Sequence, residues 1–383
     1  AVVERRGDTV DYHPECLMVG SATLATARQL RCLDTVREMT GVVSCGNGLY
    51  KVQPIADSLV LDTNPPVPPS PANIRRSREG SLRIVSLDLG AVFDTIDNAG
   101  SDDPVPAVEQ YETGMTKLTL AVVEALRLPA IIAVQGVENE AILEDLAQRI
   151  NARTGTTRYR GECNGTDGSA GLINGFLYDS ASVGFREAFT EEASDIDSVF
   201  GSGTPGHGSE PCIGLFTVGT EQVVIVNVRL CDRSNDATFF SSARGRPSEK
   251  LRRRQARAVR RLVDGLFADR PHQLLMVAGQ FNDYAFAEPN EGGEHPPAIV
   301  AGTTPDQIPL TNTTGMFPAA ERFTETYQGR AHMFCHVLLS PSLLKRYVCG
   351  SVLHLNSIFA AGLSFDASTP LRSSRHDAIE ICF

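Results

Sequence analysis

From residue 81 onward, short apolar runs alternate with stretches in which apolar positions recur every three or four residues. The runs Leu82–Leu87, Ala130–Gln135, Leu172–Tyr178, Ile213–Val218, Val223–Leu230, Leu274–Ala278, Val337–Leu339 and Ala378–Cys382 have the length and β-branched content of buried strands. Helical spacing marks Thr116–Leu126, Glu140–Asn151 (with Ile142, Leu143, Leu146 and Ile150 on one face) and the arginine-rich stretch Glu249–Phe267. Many strands with few long helices predict an α/β sandwich rather than a regularly wound parallel sheet. Upstream, Thr40–Val43 and Leu49–Val52 are short apolar pieces separated by Gly46-Asn47-Gly48, which predicts a small β-rich unit over residues 1–63. Asn64-Pro65-Pro66-Val67-Pro68-Pro69-Ser70-Pro71 is too dense in proline for an element and predicts a stiff linker over 64–80, leaving 81–383 as the main domain. Residues 286–320, rich in Pro, Gly, Thr and Asn, are expected to form a long surface loop.

Composition narrows the functional classes. The 383 residues are 42% hydrophobic, enough for one large core. The formal charge of -11 argues against general nucleic-acid binding, which depends on clustered Lys and Arg, although a local basic groove would be compatible with it. Arg252, Arg253, Arg254, Arg257, Arg260 and Arg261 fit a solvated helix surface better than a polyanion-binding face. No apolar run reaches the roughly 18–20 residues of a membrane-spanning helix. Nine dispersed cysteines without a CxxC pair suit an exported protein with several disulfides, whose pairing spacing alone leaves open. The first residue, Ala1, fits a mature product after signal cleavage. A secreted, periplasmic or cell-surface location is expected.

The order of motifs carries more. Leu82–Leu89, Ile131–Asn139, Val224–Leu230, Val277–Asp283, Phe334–Ser340 and Ser374–Asp377 follow one another at spacings that resemble the six motifs of the endonuclease/exonuclease/phosphatase (DNase-I-like) superfamily. Among its branches, the large secreted bacterial nucleases are the most similar. Tyr50-Lys51-Val52-Gln53-Pro54 resembles the tail of the β-rich domain preceding their catalytic domain, making residues 1–63 a remnant OB-like segment. The resemblance spans roughly residues 35–383 and implies a four-layer α/β sandwich.

It also implies a site: a carboxylate-held divalent metal, a general-base His oriented by an Asp, and Asn donors to phosphate. This chain departs from that pattern. An Asn is expected where Asp88 stands, and the metal-binding Glu where Gly136 stands; Glu138 follows two residues later, about 6–7 Å along a strand. Arg229 replaces a His, Gln280 an Asp, and Cys335 and Arg375 the Asp of two Asp-His pairs, while Asn282, His336 and His376 are kept. A magnesium site needs oxygen ligands and negative charge, so neither a catalytic residue nor a metal or other cofactor is expected.

The leading reading is therefore a pseudoenzyme, a structural or binding subunit with a protein partner in an envelope or extracellular assembly. Two alternatives stand beside it. One is a divergent metal-dependent phosphodiesterase or nuclease, with Mg²⁺ or Ca²⁺ in a shifted site built from Asp88, Glu138, Asn282, His336 and His376. The other is an anion-binding module built on Arg229 and Arg375.

Overall fold

The computed structural model describes residues 4–6, 9–11, 18–19, 35–46, 49–55, 58, 60–62, 81–98, 103–163, 171–190, 196, 199–200, 208–233, 247–285, 294–327 and 330–383. The proline-rich segment 64–80 lies outside them. Upstream of it the backbone forms short strands, including an antiparallel pair of Gly41–Gly46 with Leu49–Pro54.

Two six-stranded sheets make the main body. The first is built from β1 (Arg83–Val92), β2 (Ile131–Val137), β3 (Tyr159–Cys163) and β4 (Ile173–Asp179) with the two late strands β13 (Cys349–Leu353) and β14 (Ala378–Cys382), in the order β3-β4-β2-β1-β14-β13. The second holds β5 (Gly184–Phe189), β6 (Gly208–Val218), β7 (Glu221–Leu230), β8 (Leu274–Gln280), β9 (Thr311–Asn312) and β12 (Cys335–Leu339), in the order β5-β6-β7-β8-β12-β9. A separate hairpin pairs β10 (Glu325–Tyr327) with β11 (Arg330–His332). Each sheet has one parallel pair at its centre, β1 with β2 and β7 with β8, and antiparallel neighbours around it.

Side chains alternate across a strand, so a strand apolar on both faces must be covered twice. On the inner faces, Ile84, Ile131, Ala133, Phe176, Ile225, Met276, Val337 and Ile379 pack the two sheets together. On the outer face of the first sheet, Val85, Leu87, Ile132 and Val134 meet α1 (Val108–Leu120) and α2 (Glu140–Thr154). On the outer face of the second, Val224, Val226, Val228 and Val277 meet α3 (Pro247–Asp269). Three apolar interfaces between helix, sheet, sheet and helix give four layers, as the resemblance implies. Helix α2 starts where Asn139 accepts a hydrogen bond from the Ile142 amide at 3.2 Å and stops at Gly155 in the left-handed region (φ 65°).

Two expectations need correction. Residues 294–317 are not a surface loop. They form α4 (Pro296–Ala301), β9 and a short 3₁₀ turn, with Ile299, Val300, Leu310 and Phe317 buried. The polar composition misleads because Arg260 of α3 donates to the carbonyls of Val300 and Ile308, both at 3.1 Å, so a side chain satisfies the backbone of this segment. Nor is the arginine face of α3 uniformly solvated. Arg252 and Arg260 are buried; Arg252 is held at 3.2 Å by the equally buried Asp283.

Candidate active-site cleft

The topology brings the motif residues to one edge of the sandwich. Asp88 and Gly136 lie toward the C-terminal ends of the parallel strands β1 and β2, and Arg229 and Gln280 toward those of β7 and β8. The antiparallel strands β12 and β14 enter the sheets from that same edge, so Cys335 and the Ser374–Asp377 segment arrive there at their N-terminal ends. Below the cleft the sheets are joined by buried amides. Gln135 donates to Asn227 Oδ1 at 2.6 Å, and Asn227 donates to the carbonyls of Val134 and Gly175 at 2.8 and 2.9 Å.

Asp88, 1% exposed, is the centre of what converges. Its Oδ1 accepts from the Gly90 amide at 2.7 Å, within a register shift that bends β1 past β2. Arg229 crosses from the opposite sheet. Its Nη2 donates to the Gly90 carbonyl at 3.1 Å and its Nε stands 4.0 Å from Asp88 Oδ1. His376 places Nε2 at 3.6 Å from Asp88 Oδ2 and Nδ1 at 3.9 Å from Glu325 Oε2, both beyond hydrogen-bond length. The Ser374 hydroxyl donates to the Asp88 carbonyl at 2.6 Å, fixing the segment that carries His376. Beside this group runs a second, neutral chain: Cys335 Sγ donates to Gln280 Oε1 at 2.8 Å, Gln280 donates to Asn282 Oδ1 at 3.0 Å, and Asn282 donates to the Leu230 carbonyl at 2.8 Å. Burial pushes the Cys335 thiol well above the usual thiol range, so it is a hydrogen-bond donor there and not a nucleophile.

Three of the sequence-predicted positions are not in this group. Glu138 turns away: its two carboxylate oxygens accept from the Asp94 amide and from Asn98 Nδ2, both at 2.8 Å, and hold the 94–98 segment over the sheet end. Burial raises its carboxyl to about 7. His336, fully buried, occupies the other face of β12 from Cys335, where Nε2 contacts the Asp283 carbonyl at 2.9 Å and Nδ1 lies 3.2 Å from Thr314 Oγ1. Burial lowers its pKa to about 4, so it is a neutral structural imidazole. Arg375 is exposed and does not fill the cleft.

Glu325 is a cleft residue that motif reading missed, because it lies outside the six motifs. Asp377, the last residue of the sixth motif, had been given no role. It is fully buried and accepts from the Asn356 and Ser357 amides at 2.7 and 2.9 Å and faces His354 Nδ1 at 2.8 Å, which anchors the wall behind His376.

The divalent cation implied by the resemblance does not fit these residues. Gly136 supplies no ligand, and at φ 77° a Cβ there would lie 2.9 Å from the Gly90 carbonyl oxygen and 3.1 Å from Asp88 Oδ1. The Asp88 carboxylate already faces an arginine. Among the described residues no three His, Cys, Asp or Glu side chains are grouped to hold a metal. The shifted set Asp88, Glu138, Asn282, His336 and His376 does not assemble, because Glu138 and His336 are committed elsewhere.

No protein-family profile matches the chain, and neither does any curated protein. Among solved structures, an endonuclease/exonuclease/phosphatase from Bacteroides vulgatus superposes with a TM-score of 0.50 at 13% identity, covering 79% of this chain and 98% of that chain. A humanized D. rerio TDP2 (TM-score 0.49, 15% identity, covering 79% of this chain and 98% of that chain) and a Bacteroides thetaiotaomicron mannosyl-6-phosphatase (0.46, 14%, covering 79% and 100%) are also similar. The double sheet with helices outside defines an α/β sandwich. Its particular form is the DNase-I-like fold of the endonuclease/exonuclease/phosphatase proteins, and at these identities the likeness is one of fold.

Proposed function

We propose that this chain is a non-catalytic member of the endonuclease/exonuclease/phosphatase superfamily, a secreted or periplasmic scaffold that keeps the sandwich for binding a protein partner. One observation carries the reading. The strand position that would supply the metal-binding carboxylate is Gly136, and the cationic Arg229 faces the one carboxylate at the cleft centre, Asp88. A divalent cation there would have to displace a guanidinium already in place, in a site with too few oxygen ligands. Arg229 is also drawn toward the Gly90 carbonyl and Asp88, which supports a role in joining the two sheets over one in anion capture. As a scaffold the chain should bury a partner interface above about 1,000 Å².

The test is calorimetric titration of the full chain with Mg²⁺, Mn²⁺ and Ca²⁺. The reading expects no saturable heat. Saturable binding lost in Asp88→Asn would overturn it. A second reading is favoured by His376 lying between the Asp88 and Glu325 carboxylates, an arrangement able to hold a general base without a metal. It expects turnover of a phosphodiester that is independent of added metal and lost in His376→Ala.

A further inference from the structure

We propose that Cys349 and Cys382 form a disulfide that locks the wall of the cleft, a site independent of whether the cleft is catalytic. Strands β13 and β14 are antiparallel, and their register sets Cys349 directly opposite Cys382. Residues opposite in an antiparallel ladder have Cα atoms about 4.5 or 5.5 Å apart, depending on the type of pair. Both values fall within the roughly 4.4–6.8 Å that a disulfide spans. In the other described ladders a cysteine faces a different residue type: Cys45 stands opposite Tyr50, Cys163 opposite Gly175, Cys212 opposite Asn227 and Cys335 opposite Gln280.

The two thiols are unequal in a way that sets the order of reaction. β13 is the edge of its sheet and Cys349 is partly exposed, whereas Cys382 is 1% exposed. Burial raises the Cys382 thiol above its usual range, with the neighbouring Cys349 thiol adding to the shift. Cys349 is therefore the sulfur that reacts first with an oxidant from solution. With a low-molecular-weight disulfide as oxidant, the Cys349 thiolate attacks one sulfur and expels one thiolate. The Cys382 sulfur, its proton passing to solvent, then attacks Cys349 Sγ in the mixed disulfide and expels the second. Two protein thiols are oxidised and one external disulfide is reduced to two thiols.

The bond has a structural consequence. The chain between Cys349 and Cys382 contains His354, Asn356, Ser357, Arg372, Ser374, His376 and Asp377, the whole wall that presents His376 to Asp88. Closing that loop removes conformations from the unfolded chain while the ladder already holds the two ends together in the folded one.

The experiment equilibrates the purified full chain with a reduced/oxidised glutathione series, traps thiols by alkylation and maps peptides by mass spectrometry without reduction. The expected result is one cross-linked peptide pair containing Cys349 and Cys382, lost on reduction, with its oxidised fraction rising across the series. The oxidised protein should melt several degrees above the reduced one, and Cys349→Ser, at the partly exposed position, should abolish both the cross-link and that difference. Recovery of Cys349 and Cys382 as separately alkylated thiols at the oxidising end, or capture of either by another cysteine, would overturn the proposal.

Discussion

His336 and Glu138 titrate in opposite senses, and together they shape the stability of the protein in mild acid. The folded pKa of His336, about 4, lies below its ordinary value of 6.5, so its contribution is present above 6.5 and lost as pH falls toward 4. The folded pKa of Glu138, about 7, lies above its ordinary 4.5, so its contribution is present below 4.5 and lost as pH rises toward 7. Denaturant unfolding of the wild type should vary little between pH 4.5 and 6.5, where the two slopes oppose. In Glu138→Gln, stability should rise over that window; in His336→Asn it should fall. Parallel slopes in the two variants would contradict the assignments. Arg252 is a second residue-scale case. Truncating it with Arg252→Met leaves the buried Asp283 carboxylate with the Tyr284 amide at 2.9 Å and the partly exposed Arg233 at 3.3 Å, and should cost about 3 kcal/mol in urea unfolding. Arg254→Ala, on the exposed side of the same helix, should stay within about 0.5 kcal/mol.

At the scale of elements, much of the sandwich was legible because its strands are apolar on both faces and its helices on one. What was not legible has particular causes. Arg252 lies in phase with Ala256, Val259, Val263 and Phe267, so helical spacing already placed it on the inner face of α3; its charge type pointed outward and was the weaker guide. The segment 294–317 has too little periodicity to declare itself, since its burial depends on a side chain from another element, Arg260. The strands Tyr159–Cys163 and Gly184–Phe189 are edge strands whose exposed, charged positions hide the alternation. At the crossing of β1 and β2, the left-handed backbone of Gly136 is part of the bend that seats Asp88. Reinstating the missing acid as Gly136→Glu should therefore cost about 1–3 kcal/mol from strain alone. Thermal unfolding of that variant should be insensitive to Mg²⁺; a Mg²⁺-dependent rise in its melting temperature would show that the single carboxylate suffices to rebuild a site.

For the molecule as a whole, the motifs were more legible than the roles of their residues. Their order along the chain pointed to the fold, and in that fold they gather at one edge because parallel strands end and antiparallel strands begin there. Their orientation could not be read from order. Cys335 and His336 are adjacent in sequence but lie on opposite faces of β12, so one lines the cleft and the other packs against Phe281 and the 3₁₀ turn. Glu138 and Asp377 hold loops rather than ligands. Among the described residues, what remains around Asp88 is one cation, one histidine and one distant carboxylate, on a protein with a formal charge of -11 that offers phosphate little long-range attraction. The most direct measurement is turnover of DNA and of a small chromogenic phosphodiester by the purified chain, with and without Mg²⁺, Mn²⁺ or Ca²⁺, alongside His376→Ala. The scaffold reading expects wild type and variant to match the buffer rate under every condition. Turnover by the wild type that disappears in His376→Ala would contradict it and make the Asp88–His376–Glu325 group catalytic.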